Sequence, residues 1–183
     1  MLSQEQREKL LQIARETISE YLDKRKIPDF NITDSDLMQK KGVFVTLHTR
    51  EGNLRGCIGS ITSDEPLYSV VSKMAIESAF GDPRFPSVTK QELKDLNIEI
   101  SILSPLRRIK DINEIKLGTH GVLIKRGFNS GVFLPQVAKE TGWSLEEFLS
   151  NLCAHKAGLS ADAWKDKKTE IYIFEVEIIS EEK

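Results

Sequence analysis

Stretches with apolar residues every three or four positions are interleaved along this chain with shorter stretches where they recur every second position. Ser3 opens the first helical stretch, with Gln6 three residues on, the spacing of a capping box. Leu10, Ile13, Ala14, Tyr21 and Leu22 then keep one apolar face, which predicts a helix to about Lys26, ended by Pro28. Residues 29–41 are polar and irregular, with a turn expected at Asp34–Asp36. GVFVTLHT, from Gly42, is rich in β-branched and aromatic residues and predicts a strand. Arg50 to Asn53 make a turn, and LRGCIGSIT is the returning strand of a hairpin. A helix follows Pro66, with Leu67, Val70, Val71, Met74, Ala75 and Ala79 as its buried stripe, and GDPRFP stops it.

Thr89 and Glu92 repeat the capping-box spacing over a short helical turn. IEISIL, from Ile98, predicts a strand closed by Ser104 and Pro105. HGVLIKRG and GVFLP flank a turn at Phe128–Asn129–Ser130, giving a second hairpin. Ser144 and Glu147 cap a helix that buries Leu145, Phe148, Leu149 and Leu152 and stops near Gly158. EIYIFEVEII predicts one final strand, with Tyr172, Phe174, Val176 and Ile178 alternating onto one face. Without a regular βαβ alternation, the order of elements reads as α+β, a largely antiparallel sheet with flanking helices.

Composition narrows the function classes. The 183 residues suit one domain, 1–183, of two small lobes around a shared core, with no separable second domain. A net charge of −2 gives no bulk attraction to nucleic acid. Lys24, Arg25 and Lys26, and Lys165, Lys167 and Lys168, form local basic clusters, read as solvated surface without interleaved aromatic residues. The first residues carry no signal-peptide pattern, and no apolar run reaches the roughly 20 residues of a membrane helix. Two cysteines, Cys57 and Cys153, are too few for a disulfide framework, and no CxxC or HExxH spacing calls for a metal or cofactor. A cytoplasmic protein with reduced thiols is expected.

The stretch that asks for a chemical explanation is LRGCIGS, residues 54–60. Glycine weakens a strand, so Gly56 and Gly59 require a bulge, a bend or the close approach of a backbone or ligand. Period-two alternation puts Arg55, Cys57 and Gly59 on one face, with Arg55 and Cys57 about 6.5–7 Å apart. A guanidinium there favours the thiolate, the reactive form of cysteine. The plainer reading of Cys57 is a small buried hydrophobe. In DPRFP, residues 82–86, two prolines stiffen a loop that presents Asp82 and Arg84, either to each other or to a ligand. Arg55 and Arg84 could form a two-guanidinium clamp for a carboxylate or phosphate, balanced when empty by carboxylates such as Asp82 or Glu77. Gln136, in LPQVA, is a polar group beside apolar runs; His48, His120 and His155 have no spacing that makes a dyad with a cysteine.

LRGCIGS, GDPRFPSV, IEISILSP, GVFLPQVAKETGW and NLCAHKAGL, in that order, resemble the AMMECR domain family, named for the Alport syndrome, midface hypoplasia and elliptocytosis chromosomal region protein. The bacterial and archaeal branch, the AmmeMemoRadiSam system protein A-like proteins, is the nearest likeness, from about Gly42 to the last strand. The resemblance implies two unequal lobes with a cleft between them and an LRGCIG hallmark at Leu54–Gly59. The residues themselves make Cys57 and Arg55 the catalytic candidates, with Gly56, Gly59, Asp82, Arg84 and Gln136 as candidate substrate contacts for a small anionic ligand. The resemblance also implies a pathway shared with Memo-like and radical SAM proteins. His155 stands where the family does not demand histidine, which argues against it as a general base.

Overall fold

The computed structural model describes residues 1–181, which divide into two compact units: residues 1–103 with the C-terminal strand from Glu177, and residues 104–176. In the first unit, helix α1 (Gln4–Lys24) begins at the foreseen capping box, Ser3 and Gln6 each accepting the other's backbone N–H. Strands β1 (Val43–His48) and β2 (Leu54–Ser60) form the first hairpin. Helix α2 (Leu67–Ile76) runs into a π-helical turn, Glu77–Gly81, and the short helix α3 (Lys90–Leu93) follows the DPRFP loop. Strand β3 (Asn97–Leu103) pairs antiparallel with β1.

Numbering the remaining elements in chain order, the second unit holds β4 (Arg107–Ile109), β5 (Gly121–Arg126), β6 (Asn129–Phe133), helices α4 (Pro135–Thr141) and α5 (Leu145–Asn151), and β7 (Glu170–Phe174). Strand β8 (Val176–Ser180) returns to the first sheet. The strand orders are β2-β1-β3-β8 and β4-β7-β5-β6, so β2 is an edge strand. The α+β, largely antiparallel expectation holds for both sheets.

Each unit buries its own apolar cluster. In the first, Leu10, Ile13, Ala14 and Ile18 of α1 and Leu67, Val71 and Ala75 of α2 cover Val43, Val45, Leu47, Ile98 and Ile100 on one face of the sheet. In the second, Phe148, Leu149, Leu152 and Cys153 pack with Val122, Ile124, Ile171 and Ile173.

Three expectations need correction. The final apolar run is two strands in different sheets, broken at Glu175; Phe174 is buried as its place on the expected face requires, but so are Ile171, Ile173 and Ile179 of the other face, and Ile178 is exposed. A period-two pattern with apolar residues at nearly every position leaves the inner face undecided, and contact with the helices decides it. The second hairpin turns at Gly127 and Phe128, with Gly127 at φ 59°, so Asn129 and Ser130 already belong to β6. Helix α4 was hidden by its start at Pro135, which the apolar run GVFLP reads as the end of a strand.

Candidate functional site

The strand register answers the question posed by LRGCIGS. Leu47 pairs with Gly56 but His48 with Leu54, leaving Arg55 as the extra residue of a bulge. The bulge breaks the alternation that was to place Arg55 beside Cys57. A Cβ added at Gly56 would collide with the backbone carbonyl oxygen of Ser78, in the π-helical turn. At Gly59 it would meet the ring of Phe44 and the carbonyl of Val43. What approaches the strand at Gly56 is therefore the protein's own backbone. The Ser78 hydroxyl fastens that contact, accepting from Ile58 N–H at 2.9 Å and donating to Val45 C=O at 2.7 Å.

Cys57 is half-buried. It lies opposite Thr46, whose hydroxyl donates to Sγ at 3.2 Å. Its backbone groups on the outer side of the edge strand are taken by the DPRFP loop. Cys57 N–H donates to Asp82 Oδ2 at 2.9 Å, and Arg84 Nη2 donates to Cys57 C=O at 3.2 Å. Asp82 in turn accepts from Arg84 Nε at 3.0 Å and Nη2 at 2.7 Å, a two-pronged ion pair. The Asp82 side chain is 2% exposed and that of Arg84 55%. Hydrogen bonding to the Arg84 guanidinium, against the opposing effect of burial and helped by the Cys57 and Arg84 N–H groups, holds the Asp82 carboxyl far below the usual carboxylate range. The loop thus returns Asp82 and Arg84 to the neighbourhood of Cys57, as its place in the chain suggested.

Arg55 is buried, its Nε donating to Glu92 Oε1 at 3.1 Å. Its Nη1 is buried with no hydrogen-bond partner. The Arg55 and Arg84 guanidinium carbons lie 6.0 and 5.5 Å from the centroid of the Phe85 ring, so both cations gather at one aromatic side chain. The carboxylates that balance them are Asp82 and Glu92. Glu77, the other candidate, sits exposed on the π-helical turn. Burial alone would raise the Glu92 carboxyl, but the Thr89 N–H and hydroxyl and the Arg55 guanidinium together lower it.

Sequence reasoning gives Thr46, Ser78 and Glu92 no part in a functional site. Glu92 was legible as a capping residue, and it does cap α3 through Oε2, leaving Oε1 for Arg55. Thr46 and Ser78 carry no local signal, since their roles depend on the hairpin register and the π-helical turn. Gln136 stands on α4 in the second unit, its Oε1 buried without a partner. Cys153 is buried in that unit's core, and burial pushes its thiol up. His120 Nδ1 accepts from Lys116 N–H, a structural role, and His155 is exposed.

No helix among the described residues is long and apolar enough to cross a membrane. The AMMECR1 family model matches residues 11–179. A Nanoarchaeum equitans protein is 41% identical over 94% of this chain and 99% of its own length. A Methanothermobacter thermautotrophicus protein is also 41% identical, over 99% of this chain and 97% of its own. The crystal structure of a Pyrococcus horikoshii protein superposes with a TM-score of 0.90 at 41% identity, covering 99% of this chain and 94% of that one. The chain belongs to the AMMECR1 family.

Proposed function

We propose that this chain is a cytosolic enzyme or catalytic accessory that takes a small carboxylate- or phosphate-bearing substrate at the edge of β2. Arg55 recognises the anion and Cys57 reacts. The observation that carries this reading is the Arg55 Nη1 donor, desolvated by the fold and given no acceptor by the protein. A buried donor left unpaired costs about 1–3 kcal/mol, which an anionic ligand would offset. Arg84 adds a second cation at Phe85, and its exposure leaves it able to turn towards a ligand. In an acyl transfer the Cys57 sulfur would bond to the acyl carbon, the thiol proton departing with the leaving group. Water would then release the acid and return a proton to the sulfur.

Alkylation with iodoacetamide, followed site by site by mass spectrometry, tests the reading. Cys57 reacts at least about tenfold faster than Cys153, because a thiol in an apolar core is inert. Inorganic phosphate or acetate slows Cys57 in the native protein but not in Arg55→Gln. Equal reactivity of the two thiols sinks the catalytic role. Loss of anion protection in neither protein sinks the Arg55 role.

A second reading is a binding module without chemistry, docking the Memo-like or radical SAM proteins that the resemblance implies. It is favoured by the hydrogen bond to Cys57 Sγ, which comes from a hydroxyl and not from a base such as imidazole. Under that reading Cys57→Ser leaves partner binding unchanged.

A further inference from the structure

The second unit carries a depression of about 600 Å³ that takes part of its lining from the basic cluster near the last strands. Arg108 and Lys110, from β4 and the residue after it, line it together with Lys165 and Lys167, more than 50 residues further along the chain. Trp164 and Ile112 supply apolar wall. Asp166, the carboxylate in its lining, pairs with Arg126 at 2.8 Å, and Glu170 pairs with Arg108 at 3.2 Å. Lys110, Lys165 and Lys167 make no ion pair among the described residues. The Lys165 ammonium instead stands 4.9 Å from the centroid of the Trp164 ring. The indole itself is fixed, its N–H donating to Ser150 Oγ at 3.1 Å.

Solvated lysines ordinarily spread over a surface. Here two separate segments each line one depression with lysines that make no ion pair among the described residues, beside an anchored aromatic ring. A single carboxylate would leave most of that charge uncompensated, whereas phosphate groups carry more than one negative charge and several acceptor oxygens. The volume falls within the roughly 300–1,000 Å³ of small-molecule sites.

We propose that this depression binds a small phosphate ester with a planar ring, a ligand of nucleotide size. Lys110, Lys165 and Lys167 take the phosphate oxygens, and Trp164 with Ile112 takes the ring. The site is separate in residues and in chemistry from the Arg55–Cys57 edge.

Calorimetric titration of the full chain at low salt with ADP, inorganic pyrophosphate and adenosine tests it. ADP binds, pyrophosphate competes with it, and adenosine binds at least about tenfold more weakly, as expected where charge supplies the recognition. The double variant K165E/K167E weakens ADP at least about tenfold. K110E, altering the other segment, does the same, with circular dichroism confirming that both fold. Arg55→Gln leaves ADP binding unchanged. The proposal is overturned if neither ADP nor pyrophosphate binds, or if the lysine variants bind as well as the parent. It is overturned equally if only a single-stranded oligonucleotide binds and ADP fails to displace it, or if Arg55→Gln abolishes binding.

Discussion

Asp82 is the residue on which the β2 edge turns, because one buried carboxylate holds both a strand N–H and a guanidinium. Asp82→Asn removes the ion pair and leaves Arg84 facing a side chain with a single acceptor oxygen. It should lower stability at neutral pH by about 2 kcal/mol, discounted for the exposure of Arg84. The sign with pH follows from the depressed carboxyl. The contribution of Asp82 is fully present above its ordinary value of 3.8 and is lost as the pH falls from there towards its lower folded value. Thermal melts of parent and Asp82→Asn across that range should therefore converge in acid. A gap that stays constant into acid would show that the charge of Asp82 is not what matters. At Gly56 the prediction is steric. Gly56→Ala drives a methyl into the Ser78 carbonyl, which cannot retreat without moving the π-helical turn, and should cost about 3 kcal/mol in chemical denaturation.

Among the elements, the hairpin β1–β2 and the end of α2 are the pair that shapes the site. The bulge at Arg55 and the π-helical turn at Glu77–Gly81 are each a local departure from regular geometry, and they meet through Ser78. Both kinds of irregularity gather at functional sites because they re-aim a side chain. Ser78→Ala leaves the Ile58 N–H and Val45 C=O without the hydroxyl that bridges them, with no volume to fill the gap. A loss of about 2 kcal/mol is expected. If Ser78→Ala also slows Cys57 alkylation, the turn positions the strand for chemistry; if only stability falls, the contact is structural.

For the whole molecule the open question is cooperativity. The second unit is inserted between β3 and β8, which are neighbours in the first sheet, and its ends are fastened by Ser104 N–H to Glu175 C=O at 2.9 Å. Both tryptophans, Trp143 and Trp164, lie in the second unit, so their fluorescence reports that unit alone, while far-ultraviolet circular dichroism reports the whole chain. A single domain without a separable part gives coincident denaturation curves by the two probes. A fluorescence transition that comes first would show the second unit unfolding by itself.

Local rules were enough for much of the fold. The capping boxes at Ser3, Thr89 and Ser144 formed as spaced, since each involves only four residues. The apolar stripe of α2 and the first hairpin likewise follow from periodicity and turn residues. The sequence also marked Leu54–Gly59 and Asp82–Arg84 as unusual, because glycine in a strand and proline on both sides of an arginine are locally costly choices. It could not say what they serve. That Gly56 faces Ser78, that Arg55 pairs with Glu92, and that Lys110 lines one depression with Lys165 and Lys167 depend on contacts between residues far apart in the chain. So does the division of the last apolar run between two sheets. Tertiary packing decided these, because a one-residue bulge or a single π-helical turn redirects every side chain beyond it and costs too little locally to be legible in composition or spacing.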